Sequence, residues 1–468
     1  MTVREVDVAI LGAGTAGLNA RRAAEAEGAT ALLIDPGPYG TTCARVGCMP
    51  SKLLIAPAEA VHKAQQGATF GFDASVRVDG RRIMERVRRE RDRFAGFVVD
   101  DVAEHIEAGR LLSAHGRIRD AHTVEAGGVT VRAKAIVVAT GSTPVVPAAY
   151  RSLSSAVRID NEGLFDLEDL PESVFVVGPG VIGIELGQAL HRLGVRVTIV
   201  GRGGTVGPFQ DPALQACAAE VLGAELDLQL RHRLESIEEV GGGVRVRFAG
   251  DDGGLREERY EKVLVAAGRR ANLTGFGLEA LGVAPGPDGS LAVDPDTAQL
   301  GERNLFFAGD VTGDRPLLHE ASDEGRIAGA NAATFPVVTP HPRRTPLAVV
   351  FSDPQMAIVG APGRFHGCPE HRVGQVSYDN QGRARVMAEN RGLVRIYGDV
   401  REGRIRGAEM FGPAVEHTAH LLAWAVQAGL RVEDALEMPF YHPTVEEGIR
   451  TALRDLRAQL RRARPGRV

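Results

Sequence analysis

Two of the four cysteines in this 468-residue sequence, Cys43 and Cys48, stand five positions apart in Thr41-Thr42-Cys43-Ala44-Arg45-Val46-Gly47-Cys48-Met49-Pro50-Ser51-Lys52. An undistorted helix holds residues i and i+5 about 8.7 Å apart at Cα, from a rise of ~1.5 Å and ~100° per residue. That exceeds the ~7 Å limit for a disulfide. The pair therefore needs a distorted chain between its members, which Gly47 permits. Pro50 is tolerated only in the first turn of a helix, so a regular helix is expected from about Cys48 through Lys52. The positive end of that helix favours a Cys48 thiolate. A spacing open to either bridge or dithiol, beside a device that stabilises a thiolate, reads as a redox centre. Cys217 and Cys368 stand alone and read as structural.

A second candidate lies in Phe440-Tyr441-His442-Pro443-Thr444-Val445-Glu446-Glu447, ahead of a basic amphipathic helix. Thr444 and Glu447 have capping-box spacing. Glu447 can instead fix the tautomer of His442 and steady its imidazolium, as a carboxylate does for an acid–base group. Local sequence alone favours capping.

The elements that must position these residues begin with the apolar run Val6 to Leu11, followed by Gly12-Ala13-Gly14-Thr15-Ala16-Gly17 and an Ala-rich helical segment. Strand, glycine turn and helix together make a dinucleotide site: the glycines allow a tight turn and close approach to a pyrophosphate, which faces the helix N-terminus. A second strand, Ala31 to Ile34, ends in Asp35, placed to bind a ribose hydroxyl. The pattern repeats at Ser173 to Val177, Gly178-Pro179-Gly180-Val181-Ile182-Gly183, and a helix carrying Glu185 and Gly187. Two such units argue for two dinucleotide sites. In the repeat, the strand Val195 to Val200 ends in Gly201-Arg202 with no acid, so discrimination against a ribose 2′-phosphate is expected to be weak. Ala135 to Gly141 and Val263 to Arg269 read as buried strands ending in turns. Asn304 to Asp310 is another, with Asp310 as a candidate cofactor contact or a turn aspartate. Arg81 to Arg93 reads as a solvated helix face. Pro340, Pro342 and Pro346 mark a linker to a further domain.

Composition bounds the rest. With 44% hydrophobic and 25% charged residues the chain is an ordinary globular one, and about three domains are expected from its length. A net charge of −5 gives no footprint for nucleic acid or anionic membrane. No apolar run approaches the ~20 residues of a membrane span, and the N-terminus reads directly into a strand, so a cytoplasmic location is expected. Four cysteines do not make a secreted disulfide framework. No metal ligands are expected.

Together, Cys43-x4-Cys48-x3-Lys52, the paired fingerprints, Ala308-Gly309-Asp310, Leu318-His319 to Gly325, and His442-Pro443-Thr444 with Glu447 resemble the pyridine nucleotide–disulfide oxidoreductases, nearest the dihydrolipoamide dehydrogenases. The resemblance spans nearly the whole chain. It implies an α/β fold with two Rossmann-like domains, for FAD and NAD(P), plus an α+β C-terminal dimerisation domain. The boundaries expected are 1–148 and 271–339 for FAD, 149–270 for NAD(P), and 340–468 for dimerisation. It further implies a homodimer in which His442 and Glu447 lie beside the other subunit's disulfide, with Cys43 as the exposed thiol exchanging with substrate and Cys48 next to the flavin. Lys52 would pair with Glu185 near the flavin. Thr42, Gly116, Thr140, Gly141 and Asp310 would help hold FAD, and Gly268 would sit at the nicotinamide.

The activity implied is electron transfer from dihydrolipoamide, carried on a small substrate or on the lipoyl domain of a 2-oxo acid dehydrogenase complex, through Cys43–Cys48 and FAD to NAD. Arg45 stands where the family usually has asparagine, Thr41 where it has glycine, and Gly201 where NAD-preferring members have an acid. These departures keep open an NADP-dependent reductase of another disulfide, with a glutathione-reductase-like or mercuric-reductase-like core. Mercuric reductases and large thioredoxin reductases add a C-terminal cysteine pair, and the tail Arg464-Pro465-Gly466-Arg467-Val468 has none. A flavoprotein redox sensor or docking subunit is the alternative of another class.

Overall fold

The computed structural model of the chain describes residues 2–286 and 289–463. The tail from Arg464 to Val468 lies outside the described residues. In chain order, the elements that bear on function are β1 (Thr2–Leu11), α1 (Thr15–Ala26), β2 (Ala31–Ile34), α2 (Thr42–Val46), α3 (Cys48–Gln65), α4 (Gly80–Glu107), β3 (Val129–Val138), β4 (Ser173–Val177), α5 (Val181–Arg192), β5 (Arg196–Val200), β6 (Lys262–Val265), β7 (Leu305–Phe307), α6 (Leu318–Thr334), α7 (Val415–Gln427) and α8 (Glu447–Ala463). The chain forms two compact units: Met1–Leu53, Arg86–Val145 and Gly268–Arg343 make the first, and Leu54–Glu85, Val146–Ala267 and Arg344–Val468 the second. The segments 149–270 and 340–468, expected to bind the nicotinamide and to dimerise, fall mainly in the second.

In the first unit β1 runs parallel between β2 and β3, with Val8 opposite Ala31 on one side and Ala135 on the other. β7 extends the sheet beyond β3. Val8 to Leu11 are buried on both faces, as a central parallel strand requires, and the Val8, Ile10 and Leu11 side chains each contribute roughly 1.5–3 kcal/mol. With β2 and β3 on opposite sides of β1, the carboxyl end of β1 is a switch point, where open α/β sheets bind ligands. The helices α1 and α6 cross closely because Gly325 and Gly329 face the backbone of α1: a Cβ at these glycines would stand 2.2 Å from the Ala16 carbonyl oxygen and 2.0 Å from that of Ala20.

The second unit repeats the arrangement, with β4 parallel between β5 and β6 and all five of its residues buried. Its C-terminal part is a five-stranded antiparallel sheet, 347–350, 355–360, 405–412, 393–399 and 371–377 in spatial order. Here α8 lies on the 371–377 strand so closely that a Cβ on Gly374 would stand 2.2 Å from the Ala452 carbonyl oxygen. The α/β class and the α+β C-terminal part are those expected. The Arg-rich segment lies in α4, where Arg81, Arg89 and Arg91 pair with Asp169, Glu90 and Asp92. Among the described residues no helix is long and apolar enough to cross a membrane.

Replacing Gly325 by Val drives a branched side chain into the α1 backbone. The variant is expected to lose about 3 kcal/mol of stability or fail to accumulate as folded protein, measured by thermal and denaturant unfolding beside the parent.

Candidate active site

The two redox cysteines sit at the joint between two helices. Cys43 lies in α2, which ends at Val46, and Cys48 opens α3. Between them Gly47 leaves helical geometry, at φ −126° and ψ −114°. A Cβ on Gly47 would stand 2.9 Å from the Thr42 carbonyl oxygen and 3.3 Å from the Cys43 Cα. The absent side chain thus lets the start of α3 fold back against α2, the distortion that the spacing demanded. Pro50 falls in the first turn of α3, while the helix continues through Pro57 to Gln65.

Both cysteines are thiols, and their side chains are in hydrogen-bond contact. That bond, and then burial, hold the Cys43 thiol well above its usual range, while the Lys52 cation opposes them. Independently, the positive end of α3 favours a thiolate on Cys48. Cys43 is half-buried and Cys48 exposed, the reverse of the exposed Cys43 that the resemblance implies, because Cys43 lies within α2 while Cys48 opens α3. Lys52 Nζ lies 3.3 Å from Ser51 Oγ, whose hydroxyl donates to the Cys48 carbonyl. Thr42 is exposed at the start of α2. Thr41 caps α2 by accepting the Ala44 amide, but does so at φ +58° and ψ 153°, a conformation that favours glycine.

The first unit also gathers the residues expected to hold FAD. Gly12 takes φ +111°, and a Cβ there would stand 2.3 Å from the Ala139 carbonyl oxygen; one on Gly17 would stand 1.9 Å from that of Gly12. Gly14 caps α1 and faces open space. The turn is therefore sealed against the sheet and open at the helix N-terminus, as a pyrophosphate requires. Asp35 accepts the Ala13 amide at 2.6 Å and the Gly37 amide at 2.6 Å, which ties the acid to the glycine turn. Gly116 is buried beneath the strand ends, where a Cβ would press on Leu11 and Ile34.

Thr140 and Asn272 exchange hydrogen bonds, Thr140 Oγ1 donating to the Asn272 carbonyl and Asn272 Nδ2 to the Thr140 carbonyl. Gly141, at φ +68°, accepts the Asn272 amide. Asp310 accepts from Ser142 Oγ at 2.6 Å, and Arg269 Nε donates to the same Ser142 hydroxyl at 2.8 Å. Gly268, at φ +101°, also belongs to this unit and faces open space. Ser142, Arg269 and Asn272 carry no local motif. They meet because the strand 142–144 pairs antiparallel with 269–271 across more than a hundred residues.

The second glycine turn reproduces the first closely. Gly178 again has φ +111° with a Cβ position 2.4 Å from the Ala266 carbonyl oxygen, Gly183 would meet Gly178 at 1.8 Å, and Gly180 caps α5 facing open space. Past β5, Gly201 is buried with its Cβ position 2.7 Å from Pro179 Cγ, so the fingerprint's own proline leaves no room for an acid there. Arg202 and Arg231 are both exposed, and Arg231 packs over Gly204. Glu185 is buried and accepts the Phe351 amide at 2.8 Å. Lys52 and Glu185 fall in different units.

At the far end of the second unit, His442 Nδ1 lies 2.8 Å from Glu447 Oε2. The Thr444 amide reaches the same oxygen at 3.5 Å, and the Thr444 hydroxyl turns away to donate to the Tyr441 carbonyl. The capping box favoured by local sequence is therefore not formed, and the carboxylate's short contact is with the imidazole. His442 is exposed, its side chain 78% accessible.

This site and fold define an oxidoreductase acting on sulfur groups with bound dinucleotides. Residues 6–325 match the family described as pyridine nucleotide-disulphide oxidoreductase, and residues 347–453 match that family's dimerisation domain. The chain is 30% identical over 463 residues to dihydrolipoyl dehydrogenase 2 of Haloarcula marismortui, covering 95% of each. It is 29% identical over 469 residues to a mercuric reductase of Acidithiobacillus ferrooxidans, covering 96% of this chain and 82% of that one. The crystal structure of LpdA from Mycobacterium tuberculosis superposes with a TM-score of 0.81 at 27% identity, covering 97% of this chain and 99% of that one. The chain belongs to the pyridine nucleotide-disulphide oxidoreductases, and its cofactors are FAD and NAD(P). The two glycine turns, each sealed behind and open in front, fit them.

Replacing Thr41 by Gly removes a side chain from a glycine conformation at the entry to α2, at the cost of a weak cap. A gain of about 1 kcal/mol in unfolding free energy is expected, read by denaturant titration of the Thr41→Gly variant against the parent.

Proposed function

We propose that the chain is a dihydrolipoyl dehydrogenase-like enzyme that oxidises a dithiol at the Cys43–Cys48 pair. The observation that carries this reading is the pair itself, two cysteine side chains in contact where α2 meets the head of α3. Substrate thiolate attacks the Cys43 sulfur of the oxidised pair and Cys48 leaves as thiolate, the better leaving group. The second substrate thiol, once deprotonated, attacks the substrate sulfur of the mixed disulfide and releases Cys43. Two electrons have then moved to the cysteines, and substrate leaves as disulfide. These steps need a base for the substrate thiols and an acid for Cys43 as it is released. His442, oriented by Glu447, suits both roles, supplied by the partner subunit of a homodimer. Exposed Leu421, Trp424, Met438 and Tyr441 in the dimerisation segment support such a dimer. FAD, held at the first glycine turn, would supply the two-electron acceptor that links this dithiol to the nicotinamide.

A second reading, an NADPH-dependent reductase of another disulfide, is favoured by the nicotinamide turn. Gly201 cannot carry an acid, and Arg202 and Arg231 flank the end of β5 with exposed cations suited to a 2′-phosphate. Arg45, beside the cysteines, would then suit an anionic substrate.

Cys43→Ser is expected to abolish lipoamide turnover while the protein still binds FAD and is still reduced by nicotinamide; retained turnover would refute the assignment. Glu447→Gln should lower kcat about a hundredfold with little change in KM, measured with dihydrolipoamide across pH. Arg202→Ala is expected to reduce kcat/KM for NADPH about tenfold, the loss of one charged contact. Steady-state kinetics with both nucleotides check this, and an equal loss with NADH would remove the second reading.

A further inference from the structure

The glutamate Glu324 is 4% exposed on α6, and none of the chemistry above uses it. Its Oε2 accepts the Gly309 amide at 2.7 Å. Gly309 stands at φ +82° and ψ −159°, and the next residue is Asp310, which opens a short 3₁₀ turn to Thr312. The Thr312 hydroxyl closes that turn by donating to the Gly309 carbonyl. From the other side Asp310 accepts from Ser142 Oγ. The turn is therefore pinned at its entry by one carboxylate and at its side chain by one hydroxyl.

Glu324 also meets a cation: Arg343 Nη2 lies 2.8 Å from its Oε1 and pairs with Glu320 as well, while Arg343 Nη1 lies 3.0 Å from Asp314. Burial pushes the Glu324 carboxyl up to about 7, against the pull of Arg343 and of the Gly309 amide. A carboxylate kept at that desolvation cost has two partners that could account for it, the arginine and the amide. The next residue, Gly325, packs on Ala16 in the first turn of α1, so this turn of α6 touches both ends of the FAD cradle.

We propose that Glu324 is a positioning residue for the flavin site, holding the Gly309 amide and thereby aiming the Asp310 carboxylate at FAD. The inference rests on the reading of Asp310 as an FAD contact. What matters is reach to the amide, not the charge facing Arg343.

Two variants separate reach from charge. Glu324→Gln keeps a carbonyl that can accept the Gly309 amide but gives up the charge. Glu324→Asp keeps the charge but is one methylene too short. FAD affinity is measured by reconstituting flavin-free protein with FAD and following flavin fluorescence, with Asp310→Ala alongside. Glu324→Asp is expected to weaken FAD binding about tenfold, the size of one hydrogen bond, and Glu324→Gln to stay within about threefold of the parent. If Glu324→Gln is the worse of the two, the residue serves as a counter-charge and the proposal falls. It falls too if neither variant moves while Asp310→Ala does. If Asp310→Ala leaves FAD affinity unchanged, the reading of Asp310 has failed instead. Should one Glu324 variant not fold, the other still decides: a tight Glu324→Asp or a loose Glu324→Gln overturns the proposal.

Discussion

The structure depends on backbone approaching backbone where no side chain intervenes. At Gly12 and Gly17 the first turn of α1 lies on the strand ends with Cβ positions about 2 Å from carbonyl oxygens, and Gly178 and Gly183 repeat the contact in the second unit. Helix N-termini are thereby drawn down onto the switch points of two parallel sheets, with their free amides facing outward. The same constraint builds the redox joint: Gly47 lets α3 start against α2, which brings two thiols five residues apart into contact. Dinucleotide sites and redox centre are thus solved by one steric device. Each is intolerant of even a methyl group at its closest point.

Electrostatics then divides the labour within the pair. The contact between the sulfurs and the burial of Cys43 raise the Cys43 thiol above its usual range, while the head of α3 offers its dipole to Cys48. In the second unit a single oxygen of Glu447 takes the imidazole of His442 at close range and leaves the Thr444 amide a long contact. An exposed histidine with one nitrogen fixed can take and return a proton at the other.

The nicotinamide side shows how one packing contact reaches specificity. Pro179, inside the second fingerprint, occupies the volume that an acidic side chain at position 201 would need. The chain therefore follows β5 with Gly201 and the exposed Arg202. Relatives named both dihydrolipoyl dehydrogenase and mercuric reductase stand at nearly equal identity, so substrate choice rests on local features of this kind and not on the fold.

The sequence by itself determined the architecture. Strand, glycine turn and helix are local patterns of period and residue type, so β1 with α1 and β4 with α5 are legible without tertiary information, as are the cysteine spacing and the break at Gly47. Only the tertiary structure decided what distant residues do to one another. Glu447 read locally as a cap, and in the fold its carboxylate keeps only a long contact to the Thr444 amide while its short one is to His442. Ser142, Arg269 and Asn272 gave no signal, since a two-stranded ladder joins segments more than a hundred residues apart. Glu324 reads in sequence as one acid among several on α6, and becomes distinctive only when Gly309 and Arg343 close around it. Local chain geometry follows from local residue types, whereas a hydrogen-bond partner far along the chain is chosen by burial, which sequence periodicity does not encode.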